Sequence, residues 1–377
     1  MTPTPSHRRK QPLSRRGVIG AAGAVAVGGA LTPMVFAATD SDSGSGTSDN
    51  ASGTPGTEPQ KFPATRTEAA TGTAEASAAF AISYVGVRWT GAADGAGIKF
   101  ADGAASPGTW RDLTGGCATV EGGGTALVAA GDATTYELKA PDGTSAGDVR
   151  SLAIDTSGGA GKTFQVPTEP TRMRGVRYLS RPAWGADESK RYKDGKVNSP
   201  EKYYALQTIT VHHTVTLNDD PDPASTVRGI YEYHAVTLDW GDIGYHFLID
   251  EAGTIYEGRY SGDDGIPAFD KDGNLVTAFH TAGFNSGNLG IALLGDLTSQ
   301  PPTDAAKDSL IRLVKMIARY KGLDPQAQVT FVNPVNGVTK DVNAISGHRD
   351  WLQTECPGQT MYDLLGEVRT AAAGTSS

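Results

Sequence analysis

Hydrophobic and polar positions alternate with two different rhythms along this chain, and the change of rhythm divides it. Between about Ala76 and Val166 apolar residues recur at every second position in short runs, at Phe80–Trp89, Ala126–Ala129, Tyr136–Leu138 and Ser151–Ile154, with Asp-Gly turns at 94–95, 102–103 and 142–143. That rhythm predicts a small all-β accessory domain of antiparallel strands, in the manner of a sandwich, over residues 76–166. Beyond a short linker the period lengthens. Leu206–Thr216 is expected to be a strand with Val211, His213 and Val215 on one face and Thr210, His212 and Thr214 on the other. Tyr245–Arg259 predicts a hairpin turning at Ala252-Gly253, and Leu289–Leu294 a buried strand. Asp222-Pro223 has the form of a helix start, followed by Val227, Ile230, Tyr231 and His234 on one side. Thr303–Tyr320 is the clearest helix: Thr303 caps it, Leu310, Val314 and Ile317 line one stripe, and Gly322 stops it. Strands alternating with helices predict an α/β domain over residues 176–370, a mixed central sheet flanked by helices.

Composition changes the picture mainly before these elements. Residues 1–38 carry Arg8, Arg9, Lys10, Arg15 and Arg16, then a Gly/Ala/Val run from Val18 to Leu31 and small residues at Ala37 and Ala38. These are the parts of an export signal peptide, and Ser14-Arg15-Arg16-Gly17-Val18-Ile19 resembles the twin-arginine type. A membrane anchor is the alternative, disfavoured because the apolar run is shorter and richer in glycine than the ~20 residues of a bilayer span. Residues 39–75 are Ser, Gly, Thr, Ala and Pro with few apolar groups, which predicts a disordered linker. Loss of residues 1–37, which hold five Lys/Arg and no acid, would take the formal net charge from −9 to −14. A chain so acidic excludes nucleic acid and anionic lipid as partners held by bulk charge, and no membrane span is expected after signal cleavage. The export signal puts the expected location outside the cell.

Candidate chemistry gathers in Gly347–Gly358, a stretch that places His348 and Cys356 in one loop. Imidazole and thiolate are both zinc ligands, and a catalytic zinc takes three protein ligands, so a third must come from elsewhere. His212 and His213 are the candidates. Strand alternation points them in opposite directions, so only one can reach a given metal. His212 lies among polar neighbours suited to a cleft, whereas His213 shares the apolar face and reads as a packed histidine. His234 is either a core histidine or one lining the cleft. A disulfide between Cys117 and Cys356 competes with metal binding, since an exported chain lives in an oxidising compartment.

With these residues in view, about Tyr178 to Gly366 resembles the peptidoglycan recognition proteins and the zinc-dependent N-acetylmuramoyl-L-alanine amidases related to phage T7 lysozyme. The matching pieces are Ser180–Ala186, Val211–Thr214, Trp240–Ile249, Tyr256–Arg259, His280-Thr281 with Asn285, Gly290–Ala292 and Gly347–Gly358. Each is weak alone, and all of them in the family's order are strong. The resemblance implies a Zn2+ ion held by His212, His348 and Cys356, and a reaction centre with Tyr245 and Thr354. Substrate contacts are expected of His234, His280, Asn285 and Arg349, with His280 alternatively orienting a ligand. The implied reaction is hydrolysis of the amide between N-acetylmuramic acid and L-alanine, and the implied partner is peptidoglycan with its muramyl peptides. Two imidazoles and one thiolate leave such a zinc with a net charge of about +1, enough to acidify water. No Asp or Glu is placed as a general base.

Two other classes stay in contention: a recognition protein of the same fold that holds peptidoglycan without cutting it, and a structural zinc domain. The first typically lacks the cysteine ligand that Cys356 would supply. The second needs a fourth protein ligand, and no second nearby cysteine provides it. The accessory domain has no catalytic cluster and serves either wall binding or spacing. A monomer is expected.

Overall fold

The structure is a computed structural model that describes residues 56–91, 95–103, 106–113 and 123–374. The expected signal segment 1–38, the first part of the expected linker and Cys117 lie outside the described residues. The β-rich part is one six-stranded antiparallel sheet in the spatial order 66–71, 149–155, 76–90, 123–139, 97–100, 111–112. Long central strands Ala76–Thr90 and Gly123–Lys139 form its spine, with register shifts between Ser77 and Tyr84 where the extra residues bend the sheet. This single bent sheet stands in place of the two stacked sheets of a sandwich. Its apolar side chains Ile82, Val85, Val87, Trp89, Ile98 and Phe100 are buried together.

The linker expectation fails from Thr57 onward. Thr57–Pro63 pairs with Gly161–Pro167, and Arg66–Thr71 forms an edge of the six-stranded sheet beside Val149–Asp155. Both strands are mostly exposed and poor in apolar residues, so backbone pairing to distant strands holds them. Local composition cannot report such pairing.

The α/β part is built on a five-stranded sheet in the order 255–257, 247–249, 288–293, 208–213, 345–347. All neighbours are parallel except the antiparallel edge Ile255–Glu257, so the sheet is mixed. Thr208–His213 sits between two partners and every residue in it is buried. One face carries Ile209, Val211, Phe247, Ile291 and Ile345 against helices α2 (Asp304–Lys321) and α3 (Gln359–Ala373). Helix α1 (Pro223–Glu232) covers the other face, with Val227, Ile230 and Tyr231 packing on Leu248, Ala292 and Leu294. Asp222 accepts from the Ser225 N–H and Pro223 opens α1, while Thr303 and Gly322 cap α2, as the sequence suggests. No helix among the described residues is long and apolar enough to cross a membrane.

The β-sheet is docked on α1. Tyr84 bonds Thr226 through their hydroxyls, Tyr233 donates to the Val87 carbonyl at 3.2 Å, and Arg228 donates to the Thr156 carbonyl at 3.3 Å. Two glycines permit the approach. A Cβ on Gly86 would lie 2.6 Å from the Tyr233 ring and one on Gly229 2.9 Å from the Tyr84 ring. After Glu232 the helix widens into a π-turn over Tyr233–Thr237, which buries Tyr233 and His234.

Candidate metal centre

Sheet register sets two of the three donors side by side. Val211 is opposite Gly347 in neighbouring parallel strands, so the next residues, His212 and His348, leave the carboxyl ends of those strands at the same level. That end is where open α/β sheets carry their ligands. Cys356 returns to it from the loop after Trp351: its Sγ lies 3.6 Å from His212 Nδ1 and accepts from the His213 N–H at 3.4 Å. A tetrahedral zinc holds N and S donors about 3.5 Å apart. His212, His348 and Cys356 are all buried and offer ligand atoms within 4.8 Å of one another.

The donor chemistry fits a metal. His348 is fully buried, yet neither of its ring nitrogens has a hydrogen-bond partner among the described residues, a costly state for a polar group unless something else uses it. Burial, with the neighbouring imidazoles adding to it, pushes His348 down to about 3 and His212 well below the ordinary histidine value. Both rings are thus neutral at pH 7, the form that ligates.

His280 settles which nitrogen of His212 is available. The Asn288 carbonyl can only accept, so His280 Nε2, at 3.0 Å from it, carries the proton. Burial holds His280 at about 4, so its Nδ1 is an acceptor, and His212 Nε2 donates to it at 3.0 Å. His212 Nδ1 is left with its lone pair facing Cys356. Thr281 Oγ1 is 2.8 Å from the same His280 nitrogen, and Asn285 Oδ1 accepts from the His280 and Thr281 N–H groups, which fixes the turn. His213 faces the α2–α3 side as expected of a packed histidine, accepting from the Leu297 N–H at 3.1 Å.

The remaining candidates are placed as follows. The ring of Tyr245 lies 5.3 Å from His212 and 5.4 Å from His234. Thr354 is half-buried and its hydroxyl oxygen accepts from the Cys356 N–H at 3.3 Å. The four residues expected to contact substrate, His234, His280, Asn285 and Arg349, also make bonds within the protein. His234 and His280 are 5% and 3% exposed and bond inward, His234 Nδ1 accepting from the Gly244 N–H at 3.0 Å. Asn285 spends its oxygen on the turn, and Arg349 braces the cysteine loop by donating to Gln359 Oε1 at 2.8 Å and to the Glu355 carbonyl.

Several family-marker residues turn out to hold the scaffold. Asp242, fully buried, takes Arg181 and Arg259 at 3.0 Å each, while the Trp184 Nε1–H donates to the Glu257 carbonyl. Sequence reasoning missed this ion cluster because its members are far apart in the chain; the only hint was charged residues inside otherwise apolar motifs.

The N-acetylmuramoyl-L-alanine amidase family profile matches residues 202–359. A human N-acetylmuramoyl-L-alanine amidase is 33% identical over 42% of this chain, which spans only 24% of that relative. Peptidoglycan-recognition protein SC2 of Drosophila melanogaster is 30% identical over 52% of this chain and 86% of its own length. Among solved structures, Drosophila PGRP-LB superposes with a TM-score of 0.38 at 24% identity, covering 53% of this chain and 96% of that one. The chain belongs to the family of peptidoglycan recognition proteins and N-acetylmuramoyl-L-alanine amidases.

Proposed function

We propose that this protein is a secreted, zinc-dependent N-acetylmuramoyl-L-alanine amidase, which hydrolyses the amide between N-acetylmuramic acid and L-alanine in peptidoglycan. The observation that carries the reading is the approach of Cys356 Sγ to His212 Nδ1 at 3.6 Å beside the partnerless nitrogens of His348. His212, His348 and Cys356 would hold the ion. When bound there, zinc supplies Lewis-acid polarisation of a carbonyl and acidifies water.

The protein's own groups do the rest. The Asn288–His280–His212 chain keeps the His212 lone pair aimed at the site. Tyr245, packed between His212 and His234, is assigned the hydroxyl that donates to the oxyanion developing on the scissile carbonyl. Because Thr354 already accepts the Cys356 N–H, its own proton is left to donate toward water or carbonyl. His234 and Arg349 position Tyr245 and the cysteine loop. The export signal proposed for residues 1–38 would deliver the protein to its substrate.

Incubating the full chain with purified walls tests the reading. Release of stem peptides with new L-alanine amino termini is expected, and its loss in His212→Ala and Cys356→Ala. Wall binding without any such release would instead make the protein a recognition module.

A further inference from the structure

A cavity of about 360 Å³ opens on the α2 side of the sheet, on the opposite face from His212, and four cations line it: Arg174, Arg312, Lys315 and Arg319. Three of them lie on one face of α2, because positions 312, 315 and 319 are spaced i, i+3 and i+7. The fourth comes from the turn between the strands Thr171–Met173 and Val176–Tyr178, where its guanidinium lies 4.6 Å over the Tyr320 ring. Among the described residues none of the four is ion-paired with a carboxylate; the ion pairs of α2 are those of Lys307 with Asp304 and Glu367.

Such an arrangement is unfavourable on its own terms. Lys315 and Arg319 are like charges at i, i+4, which weakens a helix. Arg319 lies in the last turn, where the helix dipole favours a cation, but Arg312 and Lys315 lie too far from that end to benefit. Nor does charge balance explain a local excess of cations, since pairing them with carboxylates is easy in a chain of formal charge −9.

We propose that this cavity is a binding site for a phosphate-class oxyanion, inorganic or polymeric phosphate included. Three guanidinium forks and an ammonium present donors from α2 and from the facing turn, which suits a tetrahedral oxyanion better than a planar carboxylate. Val176, Met316 and Tyr320 give the cavity an apolar wall, which lowers the local polarity around the cations and strengthens their attraction for an anion. The proposal stands apart from the metal centre and from any reading of its chemistry.

The test is fluorescence anisotropy of labelled short-chain polyphosphate with the full protein, at low salt and at ~0.5 M salt, where surface attraction is screened. The wild type should bind at low salt, with inorganic phosphate competing. The triple variant Arg312→Gln, Lys315→Gln, Arg319→Gln should bind at least ~10-fold more weakly and with a shallower salt dependence, because three cations no longer neutralise phosphates. Lys271→Gln, which removes an exposed cation elsewhere, should leave binding unchanged. All three α2 side chains are solvent-accessible, so the triple variant should keep its far-UV spectrum. No binding by the wild type would overturn the proposal, as would equal binding by the triple variant, or polyglutamate binding as tightly as polyphosphate.

Discussion

His280 Nδ1 accepts a hydrogen bond from His212 Nε2–H at 3.0 Å while its own Nε2–H donates to the Asn288 carbonyl, so one backbone oxygen decides which nitrogen of His212 faces the cysteine. Removing that relay frees the ring to flip or to change tautomer. His280→Phe keeps the bulk and loses the acceptor. Zinc affinity, read by competition with a chromophoric chelator, should fall about 10- to 100-fold while the fold is retained. Unchanged affinity would mean that packing alone orients His212.

The space around His280 leaves nothing over. A Cβ on Gly290 would lie 2.6 Å from its ring carbons, and the ring is pinned at both nitrogens. Gly290→Ala should therefore cost about 1–3 kcal/mol in urea unfolding. It should also weaken zinc binding, an effect that a purely local strain would not produce.

Metal should act as a cross-link between the strand end at His212 and the loop at Cys356. At a zinc concentration a hundredfold above its dissociation constant, binding to the folded state alone adds about 2.7 kcal/mol. Chelation should lower the thermal midpoint of the wild type by several degrees. Cys356→Ser should already melt near the chelated value and respond little to chelator. If both melt alike with and without chelator, the three donors do not share an ion.

Acid should unfold the protein in a definite window. Burial, reinforced by His280, drives His246 down from 6.5 to about 3, with Nε2 donating to the Val276 carbonyl and Nδ1 accepting from the Gly290 N–H. Between those two values the unfolded chain takes up a proton that the folded chain refuses. Stability is therefore full above about pH 6.5 and falls as pH drops toward 3. His246→Gln should flatten the acid limb of unfolding free energy against pH by about 1.4 kcal/mol per unit. An unaltered slope would exclude His246 from the uptake.

Asp242 is the buried carboxylate between Arg181, which Glu188 also pairs, and Arg259, which pairs with Asp242. Asp242→Ala leaves buried Arg259 without a carboxylate and Arg181 with Glu188 alone, and such a break costs about 3–5 kcal/mol. Loss of soluble expression or a drop of that size in chemical denaturation is expected; a near-neutral result would show that water reaches the cluster.

What could be read ahead of the structure follows from range. Helix α2 was legible because its caps and its stripe lie within a single segment, and strand alternation separated His212 from His213. Helix α3 was missed although Met361, Leu365, Val368 and Ala372 mark a buried face, because its start is Gly358, which caps with no side chain. Strands Thr57–Pro63 and Arg66–Thr71 were missed because their partners lie about a hundred residues away. The inward roles of His280 and Asn285 depend on where Asn288 and the His212 strand meet, a non-local fact. Alternation could name the faces of a strand, but not its neighbours.

The seam between the β-sheet and the widened turn after α1 bears on any attempt to trim this protein. Tyr233 and Leu238 are 3% and 5% exposed because Tyr84, Ala129 and Ile154 cover them. A shortened version beginning after Val166 would present those side chains to water directly beside His234. Whoever wants a minimal version of this chain inherits an oily, loosened flank next to Tyr245, and the N-terminal half is better regarded as part of the site's supporting wall than as a detachable accessory.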